Sequence, residues 1–582
     1  MKAFRKLSFR IAGVAAVLIV AATTALGQLS TATASGTVSD STGAVIPNAN
    51  VLFTQTETNF TRATNTDAQG AYRATFLPTG PYTVKVDAPG FRATVQSGIV
   101  LTVNQQATLD FTLQIGSQTT AVEVTGQVPL LNQENSVLGG TVDNHQIENL
   151  PLVGRNVYNL LDLTPGVQHT QNENSIGMPM QHVIVNGSTD NMVGQVSYYL
   201  DGGNNMTGVR NTGNVLPNPD AIDQFNIQTN NFSAQYGRTG SAVVSVLTKS
   251  GTNTVHGSVF EFHQETNFNA TDYLQTERTP EHINRFGATV GGPVMLNKIF
   301  FFGSYGGLRQ VDPHNFNTVV PDALQRQGDF SENLCTGKTT DFGGCFTVYD
   351  PATGKPVPDN NLANLQGGYH PDPVAAQILS KNVPLPSPDR PTPDNRFVGN
   401  EGLNNQTDEY LIKGDFQMVP SHRGTLEYYQ SIGSQVVFPG GNLPGWALSN
   451  YQYRQQNANA SDVWTVSPRS VNQFWLSFSR MSAGRVSNPA KSLADYGSDL
   501  NVQGTPSLPS ISVANFFSLG QSITGPQAGD NVYGVRDVIS TTRGAHTLTA
   551  GGEAYLEKDV LVTLLNNYGV FTFSNSTART HV

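Results

Sequence analysis

Charged residues are scarce in this chain of 582 amino acids, because Asp, Glu, Lys and Arg together make up only 13% of it. The formal net charge is −10 and no basic clusters occur, which argues against nucleic-acid binding, since phosphate neutralisation needs grouped Lys and Arg. After residue 22, no apolar run reaches the ~20 residues of a membrane-spanning helix. The chain is instead rich in turn residues, with 57 Gly and 32 Pro, a composition typical of several β-rich domains.

The first 27 residues are typical of a secretory signal peptide. Met1–Arg10 carries four basic residues and no acid, Ile11–Ala22 is uncharged and mostly apolar, and small residues precede Gln28. Cleavage there would take the net charge from −10 to −14. The alternative, a membrane anchor, needs a longer apolar run. We therefore expect an exported protein, which could enter a membrane only as a closed β-barrel.

The two cysteines, Cys335 and Cys345, lie close together in a polar stretch. In an oxidising compartment we expect them to form a disulfide, with two free thiols as the alternative. Closing so short a loop would contribute ~2.8 kcal/mol in the chain-entropy model, enough to shape a loop but not to hold a domain.

Residues 28–118 contain short strand patterns separated by regular turn signals, which predicts a β-sandwich. The stretches GTVSDSTGAVIPNANV, TDAQGAYRATFLPTGPYTVKVDAPGF and ATLDFTLQI resemble the carboxypeptidase regulatory-like domain, which has a carbohydrate-binding-like fold. The resemblance implies a non-catalytic role in structure or binding. Four aromatic residues could form a sugar-stacking surface, but burial statistics favour a place in the core: Tyr72, Phe76, Tyr82 and Phe91.

Residues 119–253 predict a small α+β domain, with a short helix at Asn144–Leu150 and two strands within 221–253 joined at Tyr236-Gly237-Arg238. The ordered motifs LPLVGRN, LLDLTPGV, VIVNG, YYLDGG and VVSVLTKSGTN resemble the plug domain of TonB-dependent outer-membrane receptors of the Oar-like type. In that type the regulatory-like sandwich precedes the plug. The candidate plug-motif residues are Arg155, Asp201, Gly202, Tyr236, Gly237, Arg238 and Lys249.

Residues 254–582 contain long segments of alternating character, which fit strands of a wall between lipid and a wet lumen. Phe260 and Phe262 alternate with Glu261 and His263, and further segments at Val471–Ser479 and 545–557 alternate in the same way. We expect the apolar faces to contact lipid, although a soluble sandwich would also alternate. Aromatic clusters at Phe300–Phe302, Tyr428–Tyr429 and Phe474–Trp475 suggest interfacial girdles, and Asp312–Asn405 suggests an extracellular loop.

RFGATVGGPV, followed by KIFFFGSY, resembles the start of the Oar-like barrel. Roughly ten strand candidates follow, whereas plugged outer-membrane transporters use ~22, and no terminal aromatic strand closes the sequence. We therefore expect a fold that is all-β dominated, with an N-terminal β-sandwich, a small α+β plug and a partial transmembrane β-barrel, the barrel being truncated.

Enzymatic motifs are weak. His145 and Glu148 have the H-x-x-E spacing of a zinc pair, but no third ligand stands in a matching context. Gly337-Lys-Thr echoes a phosphate-binding loop, but Glu332 stands where that loop needs glycine. We expect no catalytic residue, cofactor or metal.

The resemblance implies an outer-membrane receptor that binds an extracellular solute, carbohydrate or peptide, and passes it through a plugged barrel. Its expected partners are the inner-membrane TonB complex and outer-membrane lipid, not nucleic acid. The alternative is a surface adhesion or polysaccharide-binding protein that is anchored by the barrel.

Overall fold

The structure is a computed structural model, and it describes residues 31–116, 122–125, 137–150, 152–170, 182–188, 195–208, 212–237, 239–270, 281–334, 346–350, 352–389, 395–438, 440–467, 469–488, 490–500, 506–522, 527–543, 546–562 and 569–573. The predicted signal peptide, Arg238 and the cysteine pair Cys335 and Cys345 lie outside the described residues.

The N-terminal module has two sheets, ordered β4-β1-β7, with β8 also paired to β1, and β3-β2-β5-β6-β9. Every second residue of the central strands is buried between the sheets, as expected for a sandwich core. Its strands are β1 (Thr31–Asp40), β2 (Asn50–Gln55), β3 (Thr61–Asn65), β4 (Ala71–Pro78), β5 (Gly80–Asp87), β6 (Thr94–Leu101), β7 (Gln106–Thr108), β8 (Phe111–Leu113) and β9 (Val122–Thr125).

Three of the four predicted aromatic residues of this module belong to its core, whereas Phe76 packs against Val463 and Val471 of the wall. Tyr72 and Tyr82 are 4% and 0% exposed, and Phe91 packs against the same cluster. The Tyr72 hydroxyl donates to the carbonyl of Leu109 at 2.6 Å, which satisfies its polar end. The core alternative is therefore confirmed for these residues, and they offer no sugar-stacking surface.

The second module is built on one mixed sheet, ordered β10-β15-β16-β13-β14, beside the pair β11-β12. All seven residues of its central strand Ala242–Thr248 are buried, including the polar Ser245 and Thr248, as expected for a mostly apolar strand in the middle of a sheet. That strand pairs antiparallel with Ile222–Asn230, so the predicted hairpin is present. The strands are β10 (Leu138–Val142), β11 (Val167–Thr170), β12 (His182–Val185), β13 (Val196–Leu200), β14 (Gly203–Asn204), β15 (Ile222–Asn230) and β16 (Ala242–Thr248).

Helices are few and short. The α-helix Asn144–Asn149 begins after Asp143, whose carboxylate accepts from the Gln146 backbone N–H at 2.9 Å, and a second one spans Pro373–Asn382. No helix among the described residues has the length and apolarity needed to cross a membrane. The 3-10 helices are Val153–Arg155, Val157–Leu163, Pro219–Ala221, Thr266–Phe268, Gln325–Gln327, Ser331–Asn333, Pro358–Asn360, Leu362–Asn364 and Leu493–Tyr496.

The third region forms a wall of long antiparallel strands. Its nine described strands follow the order β17-β18-β19-β20-β21-β22-β23-β26-β27, while β25-β24-β28 form a small separate sheet. Within the described residues the first and last wall strands do not pair with each other, so the sheet is open. The strands are β17 (His256–Glu265), β18 (His282–Met295), β19 (Ile299–Val319), β20 (Arg396–Val419), β21 (His422–Val437), β22 (Leu448–Ser467), β23 (Ser470–Asn488), β24 (Ser510–Val513), β25 (Ser518–Leu519), β26 (Gln527–Arg543), β27 (His546–Val562) and β28 (Val570–Phe573).

The wall carries its polar residues inside and its apolar residues outside. Ile412 and Leu476 are 67% and 43% exposed on the outer face, whereas Lys413 and Gln473 on the inner face are 2% and 0% exposed. This pattern is the reverse of a soluble sheet and suits an outer face that contacts lipid. The predicted transmembrane alternation is confirmed for Val471–Ser479, where Phe474, Leu476 and Phe478 face outward.

Two details of the predicted outer face are wrong. Phe260 and Phe262 face the plug, and it is Val259 that is 88% exposed beside them. The aromatic clusters are divided between the faces, because alternation sends neighbouring residues to opposite sides. The members that face inward, and so cannot belong to a lipid girdle, are Phe300, Phe302, Tyr429 and Trp475.

The two ends of the wall differ. Short turns join Val419 to His422, Ser467 to Ser470 and Arg543 to His546, whereas residues 320–395 form a long connection at the opposite end. Ile378 and Val383 of that connection pack with neighbouring loops around a separate core, which includes Trp446 and Tyr496. Outer-membrane barrels have short periplasmic turns and long extracellular loops, so the short-turn end faces the periplasm.

The sandwich lies at the short-turn end. The Arg62 Nη1 donates to Thr465 Oγ1 at 2.8 Å, and the Asn59 side-chain amide donates to Asn297 Oδ1 at 2.8 Å. The Val103 backbone N–H donates to the Gln224 side chain of the plug at 2.8 Å. The sandwich therefore contacts both the wall and the plug at the periplasmic mouth.

Candidate functional site

The turn after β13 places Asp201 where the plug meets the wall. Asp201 and Gly202 both have positive φ angles, of 45° and 86°, and the chain reverses there into β14. The left-handed region is open to glycine and tolerated by aspartate, which explains the Asp-Gly pair in this turn. The Asp201 backbone N–H donates to the carbonyl of Val246 at 2.9 Å, which fixes the turn against β16.

A buried ion pair joins this turn to the wall. The Lys413 ammonium group of β20 donates to Asp201 Oδ1 at 3.0 Å and to the carbonyl of Thr248 at 3.1 Å. The Lys413 and Asp201 side chains are 1% and 2% exposed. Because both charges are out of water, each depends on the other and on Thr248 for its hydrogen bonds. This group, with the carboxylates of Asp415 and Glu427, is called the Lys413 cluster below.

Carboxylates outnumber cations in the Lys413 cluster. Asp415 is 3% exposed, accepts from the Thr425 hydroxyl at 2.7 Å and lies 4.0 Å from Arg423. Glu427 is 5% exposed, and among the described residues no donor reaches its carboxylate oxygens. Lys413 is therefore the central cation of a largely acidic, buried contact between plug and wall.

A second contact is centred on Arg155, which has a φ of 50° in the tight turn of Val153–Arg155. Its guanidinium group forms an ion pair with Asp220 and lies over the rings of Phe260 and Phe262, at 4.8 Å and 4.1 Å from their centres. Burial lowers the pKa of Arg155, and Asp220 opposes this shift. The ion pair and the two rings together hold this turn of the plug against β17.

A third contact surrounds Arg536 of β26. Its guanidinium group lies 4.6 Å from the ring centre of Trp475 and 5.5 Å from that of Tyr236. Glu553 of β27 lies 4.0 Å from Arg536, and a Cβ atom on Gly237 would lie 3.1 Å from the Glu553 carboxylate. The Tyr236-Gly237 segment therefore packs against a charged and aromatic patch of the inner wall.

Lys249 acts within the plug. Its Nζ donates to Glu148 Oε1 at 2.7 Å, which joins the end of β16 to the helix Asn144–Asn149. Glu148, half of the rejected zinc motif, is therefore engaged by a lysine. Among the described residues no group of three or more His, Cys, Asp and Glu side chains is arranged to hold a metal ion.

Six of the seven predicted plug-motif residues thus lie at plug contacts, and five of them face the wall. Sequence reasoning missed the wall residues that lie against the plug: Arg285, Glu409, Lys413, Trp475 and Arg536. The alternation of side chains along β20 could have indicated some of these residues. Leu411, Lys413 and Asp415 share one face of the strand, while Tyr410 and Ile412 share the other. Two charges on one face of a membrane strand indicate the inner face.

Asp223 gives the plug a pH-dependent stability. Burial raises its pKa; Gln224, Lys413 and Lys249 oppose the shift, and Asp201 adds to it. The folded plug then binds this proton more tightly than the unfolded chain, so the contribution of Asp223 to stability falls as pH rises through its folded-state pKa. We expect Asp223→Asn to raise the urea midpoint of plug unfolding at neutral pH and to flatten the fall of that midpoint as pH rises above about pH 4. Parallel pH profiles for both proteins would contradict this.

Comparisons with known proteins agree with this architecture. The family described as Outer membrane beta barrel domain matches residues 247–581, and the Carboxypeptidase regulatory-like domain family matches residues 33–114. The TonB-dependent transporter Oar of Myxococcus xanthus is 29% identical over 278 residues, which cover 44% of this chain and 25% of that protein. The chain therefore spans about a quarter of the length of this curated relative.

Two solved structures of outer-membrane proteins are similar to part of this chain. The transporter YddB of Escherichia coli is 10% identical, with a TM-score of 0.42, over 72% of this chain and 48% of that chain. The ferric enterobactin receptor PfeA of Pseudomonas aeruginosa, as a mutant in complex with enterobactin, is 10% identical, with a TM-score of 0.38, over 72% of this chain and 49% of that chain.

Proposed function

We propose that this chain, which belongs to the outer membrane beta barrel domain family and lies in the bacterial outer membrane, is a TonB-dependent receptor. It binds an extracellular solute and passes it through a plugged β-barrel when an inner-membrane TonB complex pulls on the plug. No bond of the solute is broken. The relationship to the Oar transporter supports this assignment.

The observation that carries the proposal is the polar contact between plug and wall. The Lys413 and Asp201 side chains are almost completely buried, and Asn457 and Gln455 of β22 also donate to the plug, the latter to the carbonyl of Val215 at 2.9 Å. Polar groups can exchange their protein partners for water when the plug shifts. An apolar contact would instead expose apolar surface to water. A contact of this kind suits a gate that must move and return.

The position of the sandwich disfavours the alternative of a sandwich that binds external polysaccharide. It contacts the short turns of the wall through Arg62 and Asn59, so it lies on the periplasmic side. From there it cannot reach a surface outside the cell. An adhesive role would have to rest on the long loops at the opposite end.

Uptake measurements test the proposed function. In cells that carry the intact protein, we expect deletion of the TonB complex to abolish solute uptake. Arg155→Ala and Asp201→Ala should each reduce uptake about tenfold or more, because each removes a plug contact, while the amount of folded barrel in the outer membrane stays the same. Uptake that does not depend on the TonB complex would contradict the proposal. Normal uptake by both variants would contradict the roles of these two residues.

A further inference from the structure

A cavity of about 220 Å³ lies between the plug and the inner face of the wall, on the long-loop side of the Lys413 cluster. The plug lines it with residues 154–158 and 215–219, and the wall lines it with parts of β17 to β20 and with Tyr453. Arg285 pairs with Leu308, which pairs with Thr407, and this row lies nearer than Lys413 to the loop end of the strands. The cavity is therefore placed to meet a solute that arrives from outside.

Two arginines meet in this cavity. Arg155 comes from the plug and Arg285 from β18, and a Cβ atom on Gly154 would lie 3.6 Å from Arg285 Nη2. Arg155 is neutralised by its ion pair with Asp220. In the part of the chain that the structure describes, no carboxylate lies within 4.0 Å of the Arg285 guanidinium group. One cation that faces the cavity thus lacks a direct counter-ion.

The acidic groups nearby are already engaged by other partners. Asp220 binds Arg155, and the Ser258 hydroxyl donates to it at 3.4 Å. Glu409, which also lines the cavity, accepts from the Asn218 backbone N–H at 2.8 Å and from the Tyr429 hydroxyl at 3.4 Å. These bonds hold both carboxylates against the protein. An incoming anion would interact with Arg285 and with its neighbour Arg155, and it would not have to displace an existing ion pair.

We propose that this cavity binds an oxyanion group of the solute, a carboxylate or a phosphate, on Arg285 with support from Arg155. This inference rests on the proposed function and deepens it. Guanidinium groups suit oxyanions because their N–H donors match paired oxygen atoms. The volume is that of about seven water molecules and lies below the range of whole-ligand pockets, so the cavity holds an anionic end group while the rest of the solute stays in the lumen.

Titration calorimetry on the purified intact protein tests the site with three probes: N-acetyl-dialanine with a free carboxylate, the same peptide as its C-terminal amide, and inorganic phosphate. We expect the carboxylate form to bind and the amide not to bind. Arg285→Gln should weaken carboxylate binding at least tenfold, because it removes the cation that faces the cavity. Phosphate that competes more strongly than the carboxylate would identify phosphate as the anion; weaker competition would identify the carboxylate.

A matched control is available on the neighbouring strand. Arg309 follows Leu308, points to the opposite face and holds Asp408 through two bonds of 2.9 Å and 3.0 Å. Arg309→Gln removes the same charge without touching the cavity, so we expect unchanged binding of the carboxylate probe. Equal binding of the amide, no binding of either anion, or full binding by Arg285→Gln would overturn the anion site.

Failure of the site and failure of the proposed function give different results. A protein that transports its solute with TonB dependence but binds no anion at Arg285 lacks only the site. A protein that binds the carboxylate probe through Arg285 but shows uptake without the TonB complex keeps the site and loses the proposed function.

Discussion

Lys413→Met is expected to destabilise the docking of the plug by about 3–5 kcal/mol, because it leaves Asp201 buried without its cation. In outer-membrane vesicles that contain the intact protein, the variant plug should become sensitive to trypsin at a much lower urea concentration. The barrel itself should stay folded, since Lys413 faces the plug and not the lipid.

Two further variants separate the ion pair from general damage to the fold. Lys413→Met combined with Asp201→Asn removes both charges. The double variant should therefore recover much of the plug stability that Lys413→Met loses, because replacing a whole buried ion pair often costs little. Lys85→Met changes a lysine that lies 3.9 Å from Asp87 and is 50% exposed, so its effect should stay below about 1 kcal/mol. A Lys413→Met plug as resistant as the unaltered one would show that the buried pair does not hold the gate.

Much of the fold could be predicted because the local side-chain pattern of each segment agrees with the element that the segment forms. The strand Ala242–Thr248 is mostly apolar and lies in the middle of the plug sheet, and Val471–Ser479 alternates and lies in the wall. Local pattern determines these elements, since the period of side-chain direction in a strand is two. The order of the modules followed from family resemblance and not from periodicity.

The pairing of plug and wall could not be predicted in the same way. Asp201 and Lys413 are far apart in sequence, and no local rule brings two such residues together. Phe260 and Phe262 show the limit of prediction from alternation. The pattern places both side chains on one face of the strand, but it does not determine which face contacts lipid. The contact with Arg155 determines the orientation of this strand, because its guanidinium group lies over both rings and their face is turned toward the plug.

Gly202→Ala tests the other half of the Asp201 turn and is expected to cost about 2–5 kcal/mol of plug stability. The φ of Gly202 is 86°, which strains any residue with a Cβ atom by about 1–2 kcal/mol. The added Cβ atom would also lie 2.4 Å from Cζ2 of Trp475, and overpacking of this kind costs about 1–3 kcal/mol. The urea concentration at which the plug becomes sensitive to trypsin measures the total.

Gly187→Ala separates the two causes, because Gly187 has a φ of 74° in another plug turn and nothing lies within 4 Å of its would-be Cβ atom. This control should lose only the plug stability that the left-handed backbone conformation costs, about 1–2 kcal/mol. Gly202→Ala combined with Trp475→Phe should recover the steric part and keep the backbone part, since the smaller ring withdraws from the new methyl group. If Gly202→Ala were no worse than Gly187→Ala, the turn would not press on Trp475, and the wall would hold the plug through its charged groups alone.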